Sequence, residues 1–373
     1  MNRRLLLKFA AATSGSVLMG KMLHGCGEVE NGRAIAPSST PWRMPDEAEP
    51  HRCTWMAFGA SGKIWGYEYV EEIQNNLAAI ARAIAAYEPV KMLVRPDEYE
   101  LAAGKCGADV ELIVCPLDDL WIRDTGPVFV TNGQGEKAAI DLNFNGWGKK
   151  QKFERDAEVA RFVAQQAKVT LINTDLVLEG GSIEVDGRGT AIITESCVFN
   201  NNRNPGLSKA DCEAELNALL GLRKIIWLPG LAGYDITDGH TDFYARFAGH
   251  GVVVAALDPD PTSPDHAVTQ RHLEILRSAT DADGQKLDVI VLEGPTQIRP
   301  GYENDEFAAG YINFYVLNGA IIAPQFGDIQ ADRRAHDILT DLFPEREIVQ
   351  LNIDGIAAGG GGIHCTTQQE PAV

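Results

Sequence analysis

Closely spaced cysteines are missing from this chain, and so are histidine pairs at metal-ligand spacing. Seven cysteines are spread over 373 residues without a CxxC pair, and HxxxH does not occur. Neither a disulfide-stapled scaffold nor a zinc ribbon is therefore indicated. Cys53, Cys106, Cys115, Cys197 and Cys212 read as buried thiols in a chain large enough to fold without staples. Long runs of Lys or Arg are also lacking. With 33 basic against 52 acidic residues the formal charge is -19, which excludes the basic face that nucleic acid needs for counterion release. No strand pattern leads into a Gly-rich phosphate loop and helix, so a doubly wound nucleotide-binding sheet is disfavoured. Nor is there an apolar run long enough to span a bilayer; the candidate from Phe9 to Met19 is short and interrupted by Ala, Gly and Ser.

What is present is a globular composition, 45% hydrophobic and 8% aromatic, ample for an enzyme-sized core. The acidic excess suits a cationic substrate, or serves solubility alone. Residues 1–26 belong to transport rather than fold: Arg3 and Arg4 before the weakly apolar stretch resemble a twin-arginine export signal. Leu23-His24-Gly25-Cys26 resembles a lipoprotein processing site, with His24 unusual in that position. The expected location is the periplasm, free or held to the membrane by a lipid on Cys26. Residues 27–50, rich in Pro, Ser, Glu and Gly, read as a tether or irregular arm, and a single catalytic domain is expected over 51–373.

Apolar spacing predicts helices over 68–87, 155–167, 208–220, 265–279 and 330–342, the third capped by Ser208. Each is followed by a short apolar run: Met92 to Val94, Val169 to Ile172, Ile225 to Leu228, Val289 to Leu292 and Ile348 to Leu351. Hairpins are expected around Asp186-Gly187 and His250-Gly251. After each run comes a chemically unusual loop: Trp121 to Pro127, Glu179 to Ser182, Asp238 to Asp242, Gly301 to Asn313, and Gly359 to Cys365. A helix, strand and polar loop repeated five times implies a circular α/β arrangement whose loops meet at one centre.

Together those loops supply a thiol (Cys365), an imidazole (His240) and three carboxylates (Asp124, Glu179, Asp242). The set suits attack on a guanidinium. Two carboxylates can grip the planar cation by paired hydrogen bonds and keep it electrophilic. A thiolate can then add to its carbon, and an imidazolium can protonate the departing amine before activating water. Neither metal nor organic cofactor is required. The four glycines before Cys365, Gly361 among them, present bare backbone against which a small substrate can lie. Taken singly, each residue has an ordinary reading: Asp124 as a salt-bridged turn, Glu179 as a solvated turn, His240 as a structural histidine, Trp121 as core.

The segments WIRDTGP (121–127), LEGGSIEVDGRGT (178–190), NRNPGLS (202–208), DGHTDFYARF (238–247), YINFYVLNG (311–319), Phe326 to Asp328 and GGGGIHCTTQQEP (359–371) resemble the agmatine deiminase and bacterial peptidyl-arginine deiminase family, in order over roughly residues 51–371. The resemblance implies a five-bladed, pseudo-symmetric α/β propeller (pentein-like) of ββαβ units. It implies Cys365 as nucleophile, His240 as acid/base, Glu179 steadying that histidine, and Asp124 with Asp242 clasping the guanidinium. Trp121 would line the pocket, and Asn313 would hold substrate or water. Two positions depart from the family pattern: Glu184 stands where histidine is usual and Gly362 where agmatine deiminases usually show asparagine. The implied reaction converts agmatine to N-carbamoylputrescine and ammonia. Peptidyl-arginine or free arginine is the alternative substrate. A zinc hydrolase using His240, Asp242, His364 and Cys365, and a periplasmic polyamine-binding protein without turnover, are the rivals from other classes.

Overall fold

The structure, a computed structural model, describes residues 41–373. The export signal and lipid-attachment site expected at residues 1–26 lie outside the described residues, as do residues 27–40 of the expected tether. Among the described residues no helix is long and apolar enough to cross a membrane.

Five small sheets follow one plan, an antiparallel pair, a helix, and a third strand parallel to the second. The second blade pairs Val128–Thr131 with Lys137–Asp141, then adds Thr170–Asn173 after helix Val159–Ala167. The third blade has Ile183–Val185 (β1), Thr190–Thr194 (β2) and Lys224–Leu228, with helix Lys209–Leu220. The fourth has Ala245–Gly249 (β3), Val252–Leu257 (β4) and Asp288–Glu293 (β5), with helix Pro264–Ser278 (α1). The fifth has Tyr315–Leu317, Ala320–Gln325 and Glu347–Asn352, with helix Ile329–Leu342. The first blade is assembled from both ends of the domain. Its strand His51–Phe58 pairs antiparallel with the terminal strand Gln368–Pro371, then continues through helix Val70–Ala85 to the parallel strands Val90–Val94 and Val110–Val114. The molecule is thus a five-bladed α/β propeller closed by its last strand.

The five helices lie where apolar spacing puts them. In Val70–Ala85, Ile73, Leu77, Ile80 and Ile84 share one face and are fully buried, each worth roughly 1.5–3 kcal/mol of transfer free energy. The predicted Ser208 cap is present, its Oγ accepting from the Asp211 N–H at 3.1 Å. Both predicted hairpins form, whereas the pairs at 128–141 and 315–325 and the helix Tyr99–Cys106 have no counterpart in the sequence reading. The alanines of Lys137–Asp141 and the three-residue length of Tyr315–Leu317 leave little period-two signal.

Residues 41–50 are mostly irregular and pack against the domain. Arg43 bridges to Thr131 through paired backbone hydrogen bonds, and Met44 and Glu47 are buried. The polar residues after Cys365 are likewise interior: Thr366, Thr367, Gln368, Gln369 and Glu370 are all buried. Glu370 is satisfied by Lys137 at 2.7 Å and by the Trp55 indole at 2.9 Å. All six described cysteines are free and buried.

Candidate active site

One residue of the proposed set lies within a few positions of the first strand of each blade: Asp124, Glu179, Asp242, Asn313 and Cys365 precede the strands starting at 128, 183, 245, 315 and 368. Short helical turns at 122–125, 180–182, 241–243 and 364–366 point their side chains inward, so pseudo-fivefold repetition brings residues from distant parts of the chain together.

Gly181 marks the point of convergence. A Cβ built there would lie 2.7 Å from His240 Nδ1, 3.0 Å from Asp124 Oδ1 and 3.2 Å from Asp242 Oδ2. Only a residue without a side chain lets these three groups approach one another. Its N–H donates to Asp124 Oδ1 at 3.1 Å. Asp242 Oδ2 in turn lies 3.5 Å from Cys365 Sγ, and Asn313 Nδ2 donates to that sulfur at 3.3 Å. The thiol, the imidazole and the carboxylates therefore share one hollow.

Each group is held by a buried partner. His240 Nε2 meets Glu179 Oε2 at 3.2 Å, and its Nδ1 faces Asp124 Oδ2 at 3.7 Å. Burial opposes the imidazolium, but Asp124, Glu179 and Asp242 outweigh it and raise His240 to about 9. Glu179 is fully buried, not a solvated turn, and accepts from Arg203 Nε at 2.7 Å. Asp124 Oδ2 accepts from the Trp147 indole at 2.9 Å. Burial, against the pull of His240, raises Asp124 to about 6. Burial and the charges of Asp242 and Asp124 push the Cys365 thiol well above its ordinary range, so the sulfur is held protonated until a cation joins it.

Asp242 is the exception in hydrogen bonding. Its Oδ2 is bonded to His364 Nδ1 at 2.8 Å, while its buried Oδ1 has no partner. A buried carboxylate oxygen left unbonded is costly, and this one sits on the carboxylate whose other oxygen lies 3.5 Å from the sulfur. Trp121 walls the hollow, packed against Trp65 at 5.6 Å between ring centroids. Its ring occupies the space a Gly361 side chain would need, 2.2 Å from an ideal Cβ. Gly362 serves Asn313 in the same way: a Cβ there would meet Asn313 Oδ1 at 2.4 Å, so the bare backbone leaves room for this asparagine beside Cys365.

Beneath the site lies a charge cluster that the sequence reading missed. Glu47 Oε2 contacts Arg123 Nη2 at 3.1 Å and His364 Nε2 at 2.9 Å, while Oε1 contacts Arg246 Nη2 at 2.7 Å. Glu184, the other departure, accepts from Arg246 Nε at 2.9 Å and from the Phe247 N–H at 2.7 Å. Arg203 and Arg246 fall inside motif blocks already noted, where a buried arginine calls for buried acids; Trp147 and Glu47 carry no such signal. With both His364 nitrogens taken by carboxylates and His240 Nε2 by Glu179, the set of His240, Asp242, His364 and Cys365 is organised as hydrogen-bonded pairs, not as converging metal ligands.

Comparison with known proteins gives four further findings. The family described as Porphyromonas-type peptidyl-arginine deiminase matches residues 43–371. A Streptomyces coelicolor protein provisionally named agmatine deiminase is 44% identical over 339 residues, covering 88% of this chain and 99% of its own length. The agmatine deiminase of Pseudomonas aeruginosa is 38% identical over 363 residues, covering 90% and 98%. Among solved structures, the agmatine deiminase of Enterococcus faecalis superposes with a TM-score of 0.85 at 32% identity, over 90% of this chain and 99% of that one.

Proposed function

This chain belongs to the Porphyromonas-type peptidyl-arginine deiminase family, and from that membership we propose a guanidino deiminase that hydrolyses agmatine to N-carbamoylputrescine and ammonia. The observation that carries the substrate class is Asp242 Oδ1, a buried and unbonded carboxylate oxygen beside the Cys365 thiol. A guanidinium placed there donates one N–H to Asp242 and another to Asp124, and its charge offsets the two acids that keep the thiol protonated. The thiol proton leaves to solvent, and Sγ forms a bond to the guanidinium carbon. His240, charged at neutral pH, gives its proton to the departing nitrogen, which leaves as ammonia. The thiouronium left on Cys365 is attacked by water, whose proton returns to His240. The C–S bond breaks as the remaining hydroxyl proton passes to the leaving sulfur, releasing the ureido product and restoring the resting thiol. Glu179 keeps the imidazole oriented throughout.

Agmatine is preferred over free arginine because the arginines nearest the site are already engaged. Arg123 and Arg246 are bound by Glu47, and Arg203 by Glu179, so none of the three is available to an α-carboxylate. Steady-state ammonia release from agmatine, free arginine and a peptide ending in arginine tests this; agmatine turned over no better than the other two would reject the preference. Export belongs to the same proposal and rests on Arg3, Arg4 and Cys26. Cell fractionation with the mass of the mature N-terminus checks it, and a cytoplasmic protein retaining residues 1–25 would refute it.

Two outcomes follow from the site. The pH profile of kcat/KM is expected to be a bell. Asp124 must be ionised, so activity falls as pH drops through about 6. His240 must be protonated, so activity falls as pH rises through about 9. A flat profile across pH 8 to 10 would count against His240 as the acid. Gly181→Ala puts a methyl within 2.7 Å of His240 Nδ1. Displacement of the ring by a few tenths of an ångström or more should lower kcat by about 100-fold, with a melting curve confirming that the protein remains folded.

A further inference from the structure

The strands that carry Glu179 and Asp242 at one end, β1 and β3, carry a second group of functional side chains at the other. Asp186 lies in the turn between β1 and β2, and His250 in the turn between β3 and β4. The loop joining α1 to β5 brings Asp281 and Asp283 to the same place, tied down where the Ala282 N–H donates to Thr190 Oγ1 at 3.0 Å.

Each of the three aspartates spends one oxygen on local structure. Asp186 Oδ1 accepts from the N–H groups of Arg188 and Thr190, Asp281 Oδ1 from those of Asp283 and Gln285, and Asp283 Oδ1 from Arg223 Nη2. The three Oδ2 atoms face one imidazole. His250 Nε2 lies 3.5 Å from Asp281 Oδ2 and 4.0 Å from Asp283 Oδ2, while its Nδ1 lies 3.7 Å from Asp186 Oδ2. Asp281 and Asp186 are only 1% and 3% exposed, yet their Oδ2 atoms have no hydrogen-bond partner. Two buried carboxylate oxygens aimed at an imidazole, each too far from it to bond, are expensive as they stand.

The separations suit a shared cation better than direct bonds. Ligand atoms at the roughly 2.0–2.2 Å bond lengths of tetrahedral zinc are about 3.4 Å apart, close to the 3.5 and 4.0 Å measured between Nε2 and the two carboxylates. The far nitrogen facing a carboxylate is the usual outer support of a metal-bound histidine. We infer that His250 Nε2, Asp281 Oδ2 and Asp283 Oδ2 form a site for a divalent ion of zinc type, with Asp186 orienting the imidazole. The donor set of one imidazole and two carboxylates suits zinc better than calcium, which takes oxygen ligands alone. The ion would join the turns of the third and fourth blades on the side of the sheets away from Cys365.

The test uses the full chain, stripped with chelator and titrated with Zn²⁺ in competition with a chromophoric chelator. The wild type should take up one zinc per chain into the competed site and gain melting temperature. His250→Gln should lose both, and Asp281→Asn, which keeps the turn-forming oxygen, should do the same if His250→Gln does not fold. Asp186→Asn should keep the stoichiometry with affinity lowered about ten- to hundredfold. Wild-type protein that binds no zinc, or a folded His250→Gln that binds as the wild type does through cysteine thiols, overturns the assignment.

Discussion

Cys365→Ala releases ammonia from agmatine at a rate lowered by roughly a million-fold, the scale seen when a covalent nucleophile is removed, while agmatine still binds. Binding persists because the groups that grip the cation, Asp124 and Asp242, are untouched, and removal of Sγ leaves the Asp242 bond to His364 in place. Rapid-quench mass spectrometry should find an adduct on Cys365 in the wild type and none in the variant. Calorimetry should give agmatine dissociation constants within a few-fold of each other. Turnover by the variant within tenfold of the wild type would remove the thiol from the chemistry. A wild type that binds agmatine without releasing ammonia would favour a polyamine-capture protein.

Glu47→Ala should be the most destabilising single change around the site. The carboxylate serves two buried arginines, His364 and the Val316 N–H at 2.8 Å. Its loss leaves Arg123 and Arg246 short of an anion inside the protein, a change that typically costs about 3–5 kcal/mol. Denaturant unfolding should show a lower midpoint with an unchanged slope, and the melting temperature should fall by several degrees. Acid sensitivity should change too. Burial opposes the Glu47 charge, but Arg246, His364 and Arg123 outweigh it and hold the carboxyl well below its usual range. The stability it gives is present above the unfolded carboxyl pKa and is lost as pH falls through the folded value, so Glu47→Ala should lose less stability on acidification than the wild type. A midpoint unchanged at neutral pH would mean that Glu184 alone suffices for Arg246.

These two variants also mark what could be read before the coordinates. Cys365 stood out through its glycine run, and the helices through apolar periodicity, because both signals are local. The five functional loops were legible for the same reason: each pairs an unusual polar residue with a break in the pattern. Glu47 was not. It lies in a stretch whose Pro, Glu and Asp content reads as solvated arm, and its burial is decided by arginines 76 and 199 residues away. The strand Gln368–Pro371 was hidden likewise, since its side chains are polar and their partners, Lys137, Trp55 and Arg123, lie 233, 315 and 246 residues away in the chain. Interior positions filled by apolar groups announce themselves in a single segment; interior positions filled by matched charges require knowledge of both partners.

The seam in the first blade, where the last strand zips against the one beginning at His51, ties competence to completion. The sulfur arrives only three residues ahead of that strand, so a polypeptide that stops before residue 365 has neither a sealed ring nor the thiol at its centre, and one cut between 365 and 368 keeps the thiol without the strand that closes the ring.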